Sequence, residues 1–227
     1  MRYDTLLFDA DGTLLDFEVA EREAFIIAMT RFGFLADDNM ISVYSRINES
    51  LWKMLERKEI EREALKVRRF AELAQTLGVH YDALKMARTY EHELSKQSHL
   101  LSGAYEVCAQ LAQKCRLYII TNGFKMIQEG RLQRSLIYPF FSNVFISEEV
   151  GFDKPAPEFF DAVKRSIPDY CPDRTLIIGD SLTSDILGGI GAGIPVCWFN
   201  PKHKPTPENM SVDHVIDNLF ELIDITK

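Results

Sequence analysis

The sequence lacks the features that mark several large classes of protein. No apolar run approaches the roughly 20 residues that a membrane-spanning helix needs, and repeats and Gly/Ser-rich segments are missing. The 26 Lys and Arg residues form no concentrated basic run, and the formal net charge is −8. This charge pattern argues against binding to nucleic-acid polymers. We therefore expect a soluble protein that binds neither a membrane nor a nucleic acid.

Cysteine is scarce, and its spacing marks no metal or redox motif. The four cysteines stand at positions 108, 115, 171 and 197 and form no C-x-x-C pair. The first four residues carry charge where a secretory signal would need an apolar stretch. Reduced thiols and a cytoplasmic location are the simplest interpretation.

The alternation of short apolar runs with helical patterns indicates the fold class. Of the 227 residues, 46% are hydrophobic, enough for one large domain or one domain with an insertion. Apolar runs typical of buried strands cover residues 5–8, 117–120, 144–146, 175–178 and 196–199. Helical spacing separates several of them, at 104–113, 126–135 and 157–166. The pattern predicts an α/β fold with a parallel sheet covered on both faces.

Residues 17–99 break this alternation and contain no convincing strand. Amphipathic patterns predict helices at 18–32, 39–56, 61–77 and 81–96, with Gly33 and Gly78 where a helix C-cap favours glycine. A helical block inserted after the first strand would lie above the carboxyl ends of the strands, where open α/β folds bind ligands. The segment is therefore predicted to be a lid.

The first predicted strand ends in two carboxylates. Asp9 and Asp11 follow the apolar run 5–8 and lead into Gly12. In an extended strand the period of two places both carboxylates on one side, so one can attack a ligand while the other handles protons. A polar turn explains the same D-x-D-G pattern equally well, because Asp and Gly are common turn residues.

A second acidic pair, Asp180 and Asp185, follows the apolar run 175–178. Oxygen ligands from separate strands, with room for water and a phosphate oxygen, are what Mg²⁺ prefers. Asp180 is the expected direct ligand. Asp185 would support the metal site from behind, and an N-cap or surface role is equally compatible with its position.

Two further strand ends carry groups suited to phosphate. Thr121 and Asn122 follow the run 117–120, and Lys154 follows the strand that ends near residue 147. The Thr121 hydroxyl and the Asn122 backbone N–H can donate to phosphate oxygens, and Lys154 supplies positive charge. Alone, each is more typical of a turn threonine or a solvated lysine. The order of acid pair, threonine, lysine and acid pair, each at a strand end, favours a phosphate site.

Together these segments resemble the four motifs of the haloacid dehalogenase-like hydrolase superfamily: Asp9-Ala10-Asp11-Gly12-Thr13, Thr121-Asn122-Gly123, Lys154-Pro155 and Gly179-Asp180 with Asp185. The resemblance covers the whole chain. It implies a Rossmann-like core formed by residues 1–15 and 101–227, and an all-helical cap formed by residues 16–100. It also implies a nucleophile at Asp9, a general acid/base at Asp11, phosphate contacts from Thr121, Asn122 and Lys154, and Mg²⁺ on Asp9, the Asp11 carbonyl and Asp180.

Framework segments carry a closer resemblance, to the house-cleaning pyrimidine 5′-nucleotidases. These segments are residues 121–124, 146–151, 185–189 and 197–201. That branch dephosphorylates nucleoside monophosphates, including non-standard ones. The resemblance implies a Mg²⁺-dependent phosphatase that works through an aspartyl phosphate, as a monomer or homodimer.

Several alternatives use the same residues. A phosphatase of phosphoglycolate or of a sugar phosphate, or a phosphomutase, would share the core and differ in the cap. A true haloacid dehalogenase would leave Asp11 without a task, because a departing halide needs no proton. A phospho-receiver or an inactive binding protein is disfavoured by the size of the helical insert.

Substrate selection is expected to lie in that insert. Asn48, Trp52, Arg69 and Phe70 are the candidates, because an aromatic face can stack on a base and Arg or Asn can bind polar edges. Trp52 has the spacing of a core residue, and Arg69 is equally typical of a solvated charge. The five histidines are near no motif and are interpreted as structural or surface residues.

Overall fold

The computed structural model describes residues 2–227 and divides the chain into two compact units. The sheet unit comprises Met1–Phe17 and Ser98–Lys227, and the helical unit comprises Glu18–Gln97. The helical unit is thus a single insertion between the first strand of the sheet and the rest of the chain.

The sheet unit is built on six parallel strands in the spatial order β3-β2-β1-β4-β5-β6. The strands are β1 Thr5–Phe8, β2 Arg116–Thr121, β3 Phe141–Ile146, β4 Thr175–Gly179, β5 Val196–Phe199 and β6 His214–Ile216. The predicted α/β class and parallel sheet are confirmed, and each predicted apolar run lies within a strand. The edge strand β6 was not predicted because it has three residues, of which Ile216 alone is buried.

Helices flank the strands or form the insertion. They are α1 Phe17–Arg31, α2 Asp38–Glu56, α3 Arg62–Leu77, α4 Ala83–Leu94, α5 Ala104–Leu111, α6 Lys125–Arg134, α7 Ser147–Val150, α8 Pro157–Ser166, α9 Leu187–Gly191 and α10 Leu222–Ile225. A π-helical turn, Leu182–Ile186, precedes α9. Helix α4 begins later than predicted because the Asp82 side chain accepts from the Lys85 N–H and caps it. Within residues 2–227, no helix is both long and apolar enough to cross a membrane.

Both faces of the sheet are buried, which explains the continuous apolar runs. Leu6 and Phe8 belong to one apolar cluster, and Leu7, between them, belongs to a second cluster with Ile120 and Ile177. Because successive side chains of a strand point to opposite faces, the interior positions of a strand covered on both sides favour apolar residues. Charged residues follow at the carboxyl ends of β1 and β4, with Asp9 and Asp180.

The strand order places the topological switch point of the sheet between β1 and β4. Connections run outward from β1 through β2 to β3, whereas β4, β5 and β6 extend the other side of the sheet. Phe8, the last residue of β1, pairs with Ile119 in β2 and Ile178 in β4, so these three strands end almost level. In open α/β sheets the carboxyl ends at such a switch point form the usual ligand site.

The helical unit has its own core, which is aromatic. Tyr44 of α2 stacks on Phe25 of α1 with ring centroids 4.4 Å apart, and on Phe70 of α3 at 5.3 Å. All three residues are fully buried. Such stacking adds to the area that large rings bury and unites three of the four helices.

Candidate active site

Lys154 lies at the centre of the predicted motif residues. Its Nζ donates to Asp9 Oδ1 at 2.7 Å, to Asp185 Oδ1 at 2.6 Å and to the Ile120 carbonyl at 2.8 Å. The residue is only 2% exposed. The structure thus joins the ends of β1 and β2 with the turn after β4 through one ammonium group, and Lys154 is not a solvated lysine.

Asp185 is fully buried, so the surface and N-cap alternatives for it are wrong. Ser181 is the N-cap of the turn, since its Oγ accepts from the Ser184 N–H at 3.2 Å. Asp185 Oδ2 instead accepts from the Ser181 N–H at 3.2 Å. A Cβ on Gly179 would lie 2.3 Å from Asp185 Oδ2, so glycine is required there for the carboxylate to reach Lys154.

Asp180 completes a cluster of three carboxylates. Asp9, Asp180 and Asp185 each offer an oxygen, and these three oxygens lie within 4.8 Å of one another. The Asp180 carbonyl accepts from Trp198 Nε1 at 3.0 Å. Gly12, at φ +82°, has no Cβ to collide with Asp180 Oδ2, which would lie 2.8 Å away. Trp198 thus fixes the Asp180 backbone, and the absence of a side chain at Gly12 leaves room for the Asp180 carboxylate.

The charges of this cluster do not balance among themselves. Three carboxylates face one ammonium, which leaves two negative charges uncompensated within the group. Burial, reinforced by Asp185, raises the pKa of Asp180 to about 7. Burial also raises the pKa of Asp9, against the opposing effect of Lys154. Burial would lower the pKa of Lys154, but Asp185 and Asp9 outweigh it and raise that pKa.

These residues fit a magnesium ion. Mg²⁺ prefers hard oxygen ligands and brings the two positive charges that the cluster needs. Asp9 and Asp180 would hold it, with Asp185 fixed behind them by Lys154. Two features of the described residues support this assignment: the carboxylate oxygens that could bind the ion, and the excess of carboxylates over ammonium groups.

The Asp11 carboxylate lies outside this cluster and is bound by helix α6. Its Oδ2 accepts from Gln128 Nε2 at 2.6 Å, and its Oδ1 accepts from Arg131 Nη1. Both oxygens of the Asp11 carboxyl are thus engaged by α6, apart from the three clustered carboxylates.

Thr121 is the last residue of β2 and Asn122 follows it, and the two side chains differ in what they contact. The Asn122 side chain donates to the Lys154 carbonyl at 2.8 Å and accepts from the Lys154 N–H at 2.9 Å. Asn122 thus ties the loop after β2 to the loop that carries the lysine, a role that the sequence did not indicate. Thr121 Oγ1 accepts from the Gly123 N–H at 3.1 Å and from Gln128 Nε2 at 2.8 Å.

Sequence reasoning missed Gln128 and Arg131, which are both fully buried on α6. Their spacing of three residues puts them on one face of the helix beside Leu132, which belongs to the core. Polar residues on the apolar face of a predicted helix directly after Thr121 were the available signal. Trp198 was missed because tryptophan in a buried strand indicates packing first.

Of the four candidates in the helical unit, Asn48, Arg69 and Phe70 are linked by contacts within that unit. Asn48 Nδ2 donates to Glu21 Oε1 at 2.7 Å, and Arg69 Nη1 donates to Asn48 Oδ1 at 3.3 Å. Arg69 is 2% exposed, with its guanidinium 4.7 Å from the Tyr90 ring centroid, so it is not a solvated charge. Phe70 is fully buried and Trp52 half-buried. Their part in substrate recognition stays a prediction.

Known proteins resemble this chain over nearly its whole length. HAD-hydrolase YfnB from Bacillus subtilis is 38% identical over 99% of this chain and 95% of its own length. The crystal structure of YfnB, bound to magnesium and described as revealing interdomain movement, matches with a TM-score of 0.95 over 100% of both chains.

Two further relatives are pyrimidine 5′-nucleotidases, which confirms the closer resemblance. PynA from Streptococcus pneumoniae is 38% identical over 96% of this chain and 96% of its own length. YjjG from Escherichia coli is 32% identical over 98% of this chain and 97% of its own length. Residues 3–193 match the family described as haloacid dehalogenase-like hydrolase. With its motif residues gathered at the switch point of a parallel sheet, the chain belongs to the haloacid dehalogenase-like hydrolase family.

Proposed function

We propose that the protein is a Mg²⁺-dependent phosphatase of nucleoside 5′-monophosphates, with the sheet unit as its catalytic core and the helical unit as a substrate-selecting cap. The observation that carries the proposal is the position of Asp9. This carboxylate lies at the end of an interior strand, 2.7 Å from the Lys154 ammonium, with Asp11 two residues away and held separately. The two nucleotidase relatives support the choice of substrate.

The first half of the reaction transfers the phosphoryl group to Asp9. An Asp9 carboxylate oxygen attacks phosphorus, an O–P bond forms, and the bond from phosphorus to the ester oxygen breaks. The electron pair leaves with the ester oxygen, which takes the proton of the Asp11 carboxyl and departs as an alcohol. This route divides one difficult displacement into two easier ones.

The second half returns the enzyme to its starting state. The Asp11 carboxylate takes a proton from water as the water oxygen attacks phosphorus. The bond between Asp9 and phosphorus breaks, inorganic phosphate leaves, and Asp11 is again protonated. Lys154 and the Thr121 hydroxyl stabilise the charge on the transferring group in both halves. A bound Mg²⁺ reduces the repulsion between the Asp9 carboxylate and the phosphate.

A substrate screen tests this proposal. Purified protein with Mg²⁺ is assayed for inorganic phosphate release from pyrimidine and purine nucleoside 5′-monophosphates, sugar phosphates and phosphoglycolate. We expect pyrimidine nucleotides to have a kcat/KM at least about 10-fold above the others, because polar base edges are discriminated by hydrogen bonding. Failure to release phosphate from any monoester would contradict the proposal, and sugar phosphate isomerisation without phosphate release would indicate a mutase.

Magnesium is expected to stabilise the metal-free protein. At about 100 times its dissociation constant, a ligand that binds only the folded state adds about 2.7 kcal/mol, or about 5–10 °C in Tm for a chain of this size. Thermal unfolding with and without Mg²⁺ measures the shift without any substrate. Asp180→Asn should lose most of it, because the substitution removes a ligand.

The exposed residue Asp161 provides the control for this measurement. It lies on α8, and its carboxylate pairs with Lys164 at 3.8 Å. Asp161→Asn should keep the full Mg²⁺ shift. An equal shift in Asp180→Asn and wild type would place the ion elsewhere.

A further inference from the structure

Helix α6 holds Asp11 and Thr121 through two side chains that lie outside the four sequence motifs. These side chains are Gln128 and Arg131, and neither has any exposed surface. Burying a guanidinium and an amide costs free energy unless every contact is well formed. Their placement beside the proposed proton donor therefore calls for an explanation beyond packing.

Gln128 uses one amide nitrogen to join two residues of the site. Its Nε2 carries two hydrogens and donates to Asp11 Oδ2 at 2.6 Å and to Thr121 Oγ1 at 2.8 Å. The reversed amide would set its oxygen against a carboxylate, and in the present orientation Gln128 Oε1 accepts from Arg131 Nη1 at 3.5 Å. With an ionised Asp11, the network therefore favours the present orientation of the amide.

This arrangement also directs the Thr121 hydroxyl. Thr121 Oγ1 accepts from Gln128 Nε2 and, at 3.1 Å, from the Gly123 N–H. A hydroxyl has two acceptor lone pairs and one proton, so with both lone pairs engaged its proton is left to donate. Gln128 thereby makes Thr121 a donor, which is what a phosphate oxygen requires.

Arg131 holds the other oxygen of the same carboxyl. Its Nη1 donates to Asp11 Oδ1, and the guanidinium carbon lies 5.7 Å from the centroid of the Phe17 ring. With Oδ1 bound by Arg131 and Oδ2 by Gln128, the plane of the Asp11 carboxyl is set from both sides.

Gly123 provides the space that Gln128 needs. A Cβ at this position would lie 2.3 Å from Gln128 Nε2 and 2.6 Å from its Cγ. The backbone of Gly123 has an ordinary φ, so conformational freedom does not explain the glycine. The space that the Gln128 amide occupies explains why residue 123 is a glycine.

We propose that Gln128 and Arg131 are positioning residues: they orient the Asp11 carboxyl for proton transfer to the leaving group, and Gln128 also sets the Thr121 hydroxyl as a phosphate donor. This inference rests on the proposed phosphatase function. It makes α6 the element that aligns the proton donor with the phosphate site.

Leaving-group dependence tests the inference. A nucleoside 5′-monophosphate leaves as an alkoxide that needs a proton, whereas p-nitrophenyl phosphate leaves as a stable phenolate that needs little help. General acid catalysis contributes about 10²–10⁴-fold. Gln128→Glu and Arg131→Met should therefore lower kcat/KM for the nucleotide about 100-fold or more and for the aryl phosphate about 10-fold or less. Arg131→Lys, which keeps a cationic donor, should recover part of the loss.

Two exposed residues of the same helix provide matched controls. Gln133 is exposed, and Arg134 donates to the Gly130 carbonyl at 2.8 Å. Gln133→Glu and Arg134→Met should leave the ratio of the two kcat/KM values unchanged. Gly123→Ala should shift the ratio in the same direction as Gln128→Glu, because it displaces the same amide.

The outcomes separate this inference from the proposed function. If wild type releases phosphate from neither substrate, the phosphatase proposal fails. If wild type hydrolyses both and the variants lose both activities in equal proportion, or lose neither, the positioning role is overturned. Circular dichroism and retained aryl phosphatase activity report folding, and should Arg131→Met not fold, Gln128→Glu and Gly123→Ala decide the question.

Discussion

Asp9→Asn is expected to lower kcat for phosphate release by at least about 10⁴-fold, the scale of loss when a covalent nucleophile is removed. An asparagine amide cannot form the aspartyl phosphate, and no other carboxylate of the cluster shares the position at the end of β1. Steady-state assays with a nucleotide and an aryl phosphate both measure the effect, because the nucleophile serves every substrate.

The same substitution is expected to leave the fold intact and to keep or raise its stability. Burial raises the pKa of Asp9, so the ionised carboxylate is less favourable in the folded state than in the unfolded state. An asparagine removes that charge and still offers an oxygen to Lys154 Nζ. Thermal unfolding of the metal-free protein should give a Tm no lower than that of wild type. Phosphate release at the wild-type rate would exclude Asp9 as the nucleophile.

Lys154→Met is expected to destabilise the protein by about 3–5 kcal/mol, because breaking a buried ion pair leaves uncompensated charge in the interior. Lys154 is the ammonium that contacts Asp9 and Asp185, both of which stay buried after the substitution. Urea unfolding monitored by circular dichroism at neutral pH measures the loss. Activity should disappear as well, since the proposed mechanism uses this positive charge to stabilise the transferring phosphoryl group.

Lys125 provides a matched control for this experiment. It lies on α6 with its side chain 46% exposed and pairs with Glu149 at 2.7 Å. Lys125→Met should cost no more than about 1 kcal/mol, as is usual for an exposed pair. Adding Asp185→Asn to Lys154→Met should restore part of the stability, because one unpaired carboxylate is removed. Equal stability of Lys154→Met and wild type would show that the buried charges do not depend on the lysine.

Part of the site was predictable from sequence because three of its residues come at the end of an apolar run. The interior positions of a strand buried on both faces are apolar, so Asp9, Thr121 and Asp180 stand out at the points where β1, β2 and β4 end. Parallel strands bring their carboxyl ends to one edge, which predicts that these residues meet. The role of each still had to be inferred from the order of the motifs.

The burial of two predicted residues, Asp185 and Arg69, could not be decided from the sequence, because their partners lie far away in the chain. Asp185 was compatible with a surface position, and only packing of its turn against Lys154 buries it. Arg69 was equally compatible with solvent, and the aromatic core of the helical unit encloses it instead. In each case a local pattern leaves the burial of a charged side chain open, since burial depends on elements that pack against it.

The sequence by itself determined the fold class, the family and the residues at the strand ends, because apolar periodicity and motif order are local properties. Tertiary structure decided how charge is distributed among those residues. It placed Asp9 and Asp185 on one lysine with Asp180 beside them, a set of oxygen ligands that fits a divalent cation, and it bound the Asp11 carboxyl to α6 rather than to that cluster. The separation of the Asp11 carboxyl from the carboxylate cluster follows from contacts between segments more than 100 positions apart in the sequence. The strength of electrostatic interactions depends on the resulting distances in space and on burial.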